Sequence, residues 1–194
     1  VINTALILIL LASGGWEKMA EEDGAVAYTM DTGTSVVAFR GVTTIDGPID
    51  VIMSVLLDNK RKHRWVDRLV ISEVVHRHSD TELDVYQHFD LPWPISDRDY
   101  YYKAKLTKHH NGAQKLVLRS LPSEHLPSVG IRAELIESSY LLIPMSDTKT
   151  MVQVEIFTDP KGRLPTWLVK LVKKKWPIKT LNGIKSEVER VMNK

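Results

Sequence analysis

The period of the apolar positions changes twice along the chain. Residues 5–12 (Ala5-Leu6-Ile7-Leu8-Ile9-Leu10-Leu11-Ala12) form one unbroken apolar run. From Ala25 the pattern turns to short segments rich in Val, Tyr, Phe and Thr. Strands are predicted over residues 25–30 and 35–44, joined as a hairpin at Asp31-Thr32-Gly33-Thr34. Asp46-Gly47-Pro48 then starts a helix, and Ile49, Ile52, Met53, Leu56 and Leu57 recur at helical spacing. A short charged helix is predicted over residues 59–65. Six strands follow, over 68–76, 82–91, 97–109, 114–121, 131–143 and 148–158. The third and fourth flank His110-Asn111-Gly112, and Asn-Gly accepts the positive φ of a tight hairpin turn. Leu164, Trp167, Leu168, Leu171 and Val172 open a long C-terminal helix, which Ile184, Val188 and Val191 continue beyond Pro177. Consecutive hairpins predict an antiparallel sheet, and with the long helix an α+β fold. Periodicity does not say whether sheet and helix enclose a packed core or a cavity.

Composition narrows the function. At 43% hydrophobic and 26% charged residues, 194 residues suit a single globular domain. The net charge of +2 is unevenly spread: residues 161–194 hold ten Lys/Arg and two Asp/Glu, a local +8, so the remainder carries −6. That polarity leaves nucleic acid, an anionic membrane or an acidic protein open as partner. The absence of cysteine excludes disulfides, thiolate metal sites and a cysteine nucleophile. No G-x-S-x-G elbow, phosphate-binding loop or dinucleotide fingerprint is present, so no catalytic residue is assigned. Asp97 and Asp99 have the spacing of an acid–base pair, but Arg98 between them favours both staying ionised. His76 and His78 alternate on one strand face, and two imidazoles are too few for a catalytic zinc. The basic residues lack the interleaved exposed aromatics of a nucleic-acid groove. Residues 5–12 are too short to span a bilayer as a helix. With Ser13-Gly14-Gly15 behind them, they read either as a signal-peptide remnant or as a buried first helix, which sets residues 1–15 apart from a domain over 16–194.

The motif Pro92-Trp93-Pro94-Ile95-Ser96-Asp97-Arg98-Asp99-Tyr100 resembles the hallmark strand junction of START domains, the lipid-transfer family related to the steroidogenic acute regulatory protein. Other segments agree in order. They are Trp16 with Asp23-Gly24-Ala25-Val26-Ala27-Tyr28, Phe39-Arg40-Gly41-Val42, Asp58 with Trp65, Arg132-Ala133-Glu134, Leu142-Ile143-Pro144 and Asp159-Pro160-Lys161-Gly162-Arg163-Leu164-Pro165. The resemblance spans Trp16 to Val191 and is closest to bacterial single-domain members, which often carry a signal peptide. It implies a helix-grip fold: a curved antiparallel sheet wrapped around a long C-terminal helix, with an internal hydrophobic cavity. It implies one lipid or other hydrophobic molecule as ligand, no cofactor, a transient membrane surface as partner and a monomer. It favours an exported protein, with a cytoplasmic one as the alternative if residues 1–15 form a structural helix. Related helix-grip folds also host enzymes, so a hydrolase or cyclase in the same cavity, or a ligand-sensing interaction module, is the competing reading.

Strand alternation then nominates residues for that cavity. Lysines rarely point inward, so Tyr100 and Tyr102 face the interior, opposite Lys103 and Lys105. Leu83, Val85 and Gln87 form the apolar face of the preceding strand, and Leu116 and Leu118 that of the following one. Gln87 either orients a ligand head group or bonds a neighbouring strand. Trp167, Leu168 and Leu171 would cap the cavity from the helix. Lys170, Lys173, Lys174 and Lys175 around Trp176 suit an anionic membrane surface or else form a solvated helix face. Trp93, Arg98, Asp99 and Arg132 make up the structural motif, with Arg98 either anchoring the cavity mouth or pairing with carboxylates to fix the bend. Either the C-terminal helix or the loop over residues 126–130, with Pro127 and Gly130, would move aside for exchange.

Overall fold

The computed structural model describes residues 14–122, 126–162 and 164–193. The apolar run over 5–12 lies outside them. Among the described residues, eleven strands form one sheet. They are β1 (Glu17–Glu22), β2 (Ala25–Met30), β3 (Val37–Asp46), β4 (Leu69–Arg77), β5 (Glu82–Phe89), β6 (Arg98–Lys108), β7 (Gln114–Ser120), β8 (Ile131–Arg132), β9 (Glu134–Leu135), β10 (Ser138–Ser146) and β11 (Lys149–Asp159). The main path runs β1-β2-β3-β11-β10-β7-β6-β5-β4, antiparallel throughout. Helix α1 (Ile49–Leu57) and a 3-10 turn (Lys62–Arg64) connect β3 to β4, and α2 (Thr166–Met192) closes the chain.

Most of this follows from the apolar pattern, and the exceptions have local causes. Strand β1 reads Glu-Lys-Met-Ala-Glu-Glu and lacks alternation, because it is an exposed edge strand. The segment expected as one strand over 131–143 breaks into three. Ile131 and Arg132 run parallel to β6, Glu134 and Leu135 pair with β11, and only Ser138–Ser146 fills the slot between β7 and β11. The cause is Asp99. Its side chain is fully buried and accepts Arg132 Nε (2.7 Å), Tyr86 Oη (3.0 Å), Ser128 Oγ (3.1 Å) and the Val129 amide (3.0 Å). Burial by itself would raise the Asp99 pKa. The Arg132, Val129 and Tyr86 hydrogen bonds outweigh it and hold the carboxyl below 3.8.

Helix α2 is continuous through Pro177, which costs one backbone hydrogen bond within it. Its buried face, Leu168, Ile178, Leu181, Ile184 and Val188, lies mainly on β1, β2, β3, β11 and α1. Two glycines permit the close approach. A Cβ at Gly41 would stand 2.9 Å from Leu181 Cδ1, and one at Gly183 would stand 2.7 Å from the Trp65 carbonyl oxygen.

Asp99→Asn leaves the half-buried Arg132 without its counter-charge and is expected to cost about 2–4 kcal/mol in denaturant unfolding near pH 7. Because the folded pKa is depressed, this contribution is present above the unfolded value of 3.8 and is lost as pH falls through the lower folded value, so the two proteins converge in acid. Gly183→Ala gains helix propensity but drives a methyl group into the Trp65 backbone. A net loss of about 1–3 kcal/mol is expected in the same assay.

Candidate ligand cavity

Helix α2 rests on one half of the sheet, and the other half stands away from it. Between them lies a cavity of about 340 Å³. Its walls are largely apolar: Val37, Phe39, Val66, Phe89, Leu116, Leu118, Leu135 and Ile156 from the sheet side, and Leu168, Val169, Val172 and Trp176 from the helix. Alternation along β6 turns Arg98, Tyr100 and Tyr102 to this interior and Asp97 and Asp99 to the opposite face.

The structure brings together Gln87, Tyr100, Tyr102, Leu116, Leu118, Trp167 and Leu168, all in the lining. It does not bring in Leu83 or Val85. Both are buried in the packed core, outside the lining. The side chain of Leu171 lies outside the described residues. Gln87 does bond a neighbouring strand, Nε2 donating to Ser72 Oγ of β4 at 3.1 Å, and it borders the cavity as well. The Tyr100 hydroxyl meets Thr158 Oγ1 at 3.1 Å. The Tyr102 and Tyr140 hydroxyls have no partner among the described residues, and burial raises both of their pKa values.

The lysine–tryptophan cluster divides. Trp176 does not join the surface lysines; it turns inward against Phe39, ring centroids 5.1 Å apart. Lys170, Lys174 and Lys175 are exposed and Lys173 is half-buried. The exposed tryptophans are Trp93, 93% exposed beside its cis bond to Pro94, and Trp167, 59% exposed. Trp93 is therefore no packing element of the motif.

Arg98 pairs with neither Asp97 nor Asp99, which lie across the strand from it. It is buried and donates to backbone carbonyls instead: Nε to Pro160 (2.8 Å), Nη2 to Lys161 (3.2 Å) and Nη1 to Ser96. Asp97 accepts from the Leu91 amide (3.1 Å) and meets His88 Nε2 at 2.8 Å. The His88 contact, followed by the Leu91 amide, lowers its pKa. Arg98 thus fastens the β5–β6 junction to the segment before α2. Asp99 and Arg132 fasten the β7–β8 loop beside it, Arg132 also reaching the Pro127 carbonyl at 3.1 Å. Residues 126–130 are consequently pinned, contrary to the expectation of a loose lid. Gly130 sits at φ 156° with room for no side chain, since a Cβ would lie 2.5 Å from the Asp97 carbonyl oxygen.

Several lining residues were not nominated from sequence, Lys62 the least expected of them. Lys62, inside a run of five basic residues, is only 8% exposed and borders the cavity. Its Nζ donates to Asn59 Oδ1 at 3.2 Å, and burial pushes its pKa down to about 8. The available signal was its place three residues before the buried Trp65, on the same side of a helical turn. His78, considered with His76 for a metal, instead meets Asp84 at 2.8 Å.

A model of the START domain matches residues 3–193 of this chain. An uncharacterised protein of Pseudomonas aeruginosa is 26% identical over 177 residues, covering 90% of this chain and 87% of that one. Human phosphatidylcholine transfer protein is 26% identical over 167 residues, 82% of this chain and 77% of its own length. The solved structure of a STAR-related lipid transfer protein from Xanthomonas axonopodis superposes with a TM-score of 0.78 at 25% identity, covering 91% of this chain and 99% of that one. With the curled antiparallel sheet, the gripped helix and a match over nearly its whole length, the chain belongs to the START domain family.

Proposed function

We propose that the protein holds one lipid-like molecule in this cavity and carries it between membranes. The observation behind the reading is the apolar cavity itself, left open where a packed core would be expected and lined by aromatic and aliphatic side chains with few polar groups. The relatives are similar to lipid-transfer proteins by description, which agrees with a hydrophobic ligand. An enzyme would need reactive groups in the cavity. Asp97 and Asp99, the carboxylate pair considered above, face the other side of the sheet and are engaged in structural hydrogen bonds. A carrier is therefore preferred to a hydrolase or cyclase.

Exchange needs a place where ligand passes between apolar phases without crossing water. Each buried methylene contributes about 0.8 kcal/mol, so direct release of a long chain is slow. The segments bearing Trp93, Val129 and Trp167 are drawn together by Arg98 and Asp99, and the first and last of them line the cavity. All three side chains are exposed. Tryptophan favours the bilayer interface, and Lys170, Lys174 and Lys175 flank it with positive charge. We assign membrane docking to this end, with α2 as the element that moves, because residues 126–130 are pinned.

Native mass spectrometry of the purified protein, followed by organic extraction, is expected to find one adduct of lipid mass per chain. A bare mass with no uptake from mixed vesicles would remove the carrier reading. Trp93→Ala combined with Trp167→Ala is expected to slow fluorescent-lipid transfer between anionic vesicles about tenfold or more, leaving ligand stoichiometry unchanged. Lys173, Lys174 and Lys175 changed together to Glu should slow transfer to anionic vesicles more than to neutral ones. Transfer unaffected by both sets would show that docking lies elsewhere.

A further inference from the structure

We propose that the free edge of β4 pairs with β4 of a second copy of this chain, antiparallel about a two-fold axis between Val74 and Val75, so that one sheet runs through both copies. The family resemblance implies a monomer, and this edge departs from it.

The two edges of the sheet are unlike. Strand β1 ends one side and carries Glu17, Lys18, Glu21 and Glu22, the kind of charge with which an edge strand discourages pairing. Strand β4 ends the other side. Four of its nine residues are exposed aliphatics: Val70 (55%), Ile71 (37%), Val74 (37%) and Val75 (46%). It pairs with β5 on one side, and among the described residues no strand lies on its other side. A long apolar edge left open in this way is a template for another strand, and exposed apolar patches of this kind mark interaction surfaces.

The strand also carries its own complement. Glu73, His76 and Arg77 are exposed, and none of them makes an ion pair among the described residues. A β-bulge at Val75 brings Glu73 and His76 to one face of the strand: their β5 partners are Tyr86 and Asp84, both on the face opposite the cavity-lining Gln87. Antiparallel pairing about an axis between Val74 and Val75 sets Glu73 of each copy opposite His76 of the other, with Arg77 next to it and four valines at the centre. The Glu73 carboxylate then accepts from the imidazole N–H, and two-fold symmetry makes the contact twice. Parallel pairing in register would set Glu73 against Glu73, as would antiparallel pairing about Glu73 itself. Like charges directly opposite are destabilising, so the strand favours one partner, its own copy, in one register.

The register also orients the two copies. Leu69 at the start of β4 pairs with Phe89, and the Asp90 amide donates to the Arg68 carbonyl at 3.0 Å, shortly before Trp93 in the chain. In an antiparallel pair this end of one copy lies beside the Arg77 end of the other. The two Trp93 ends therefore point in opposite directions. The pairing stands or falls independently of whether the cavity carries a lipid.

The test is sedimentation velocity over a concentration series, with circular dichroism to check folding. The wild type is expected to reach the mass of two chains. Val74→Lys combined with Val75→Lys places guard charges on the edge and is expected to sediment as one folded chain at the same concentrations. Glu73→Lys is expected to weaken the dimer about tenfold, and His76→Glu added to it to restore the pair with its charges exchanged. Because the chain has no cysteine, Val74→Cys and Met19→Cys each introduce a single thiol, one on each sheet edge. A short bismaleimide should join two copies through residue 74 and not through residue 19. Val74→Cys changes little in volume, so this linkage decides the matter even if the lysine pair fails to fold. A wild type of one-chain mass throughout, a dimer that survives the lysine pair, a Glu73→Lys loss that His76→Glu does not recover, or linkage through residue 19 in place of 74 would each overturn the proposal.

Discussion

The structure depends on a mismatch of width. Nine strands side by side span roughly 40 Å at their hydrogen-bonding spacing of about 4.8 Å, while a helix with its side chains is about 10–12 Å across. One helix cannot cover the apolar face of such a sheet. The sheet curls around α2, and the helix packs closely on β1, β2, β3 and β11. Gly41 and Gly183 permit that approach by having no side chain where Leu181 and the Trp65 backbone must pass. On the far side, β5, β6 and β7 face the helix across a gap that their inward side chains only partly fill. The cavity is the part of the apolar face the helix does not reach.

A shell of this kind is weakest where its strands end, and two arginines hold that end. Arg98 works through backbone carbonyls and Arg132 through the carboxylate of Asp99. They act from opposite faces of neighbouring chain segments, so three loops converge without any of them entering the cavity. Asp99 accepts from five donors in four residues, Arg132 among them through both Nε and Nη2, which uses the carboxylate fully. Because its charge is answered by Arg132, Asp99 stabilises; Lys62, buried with Asn59 Oδ1 as its acceptor, is held at a cost that lowers its pKa to about 8.

Much of this was legible in the chain. Five of the six strands expected after α1, the Asn-Gly hairpin and the C-terminal helix follow from period and turn chemistry, while the strand expected over 131–143 breaks into three. The inward face of β6 follows from the rule that Lys103 and Lys105 point out. The motif around Arg98 identified the family before any coordinate did. The failures share one origin: each depended on a partner distant in sequence. Leu83 and Val85 alternate as cavity residues should, yet their part of the sheet faces packed core. Trp176 sits among lysines in the chain but meets Phe39 in space. Arg98 stands between two aspartates in sequence and touches neither side chain, because consecutive strand residues point to opposite faces.

What the sequence determined by itself was therefore local: which segments pair, which face of each is apolar, where the turns fall, and which family the chain resembles. Whether the apolar faces close on one another or leave room, which tryptophans stay in water, and that one lysine of a basic run goes inside were decided only by the tertiary structure. The physical reason is that hydrophobic burial is non-directional. It says that a face must be covered and not by what, and the covering surface here is assembled from residues far apart in the chain.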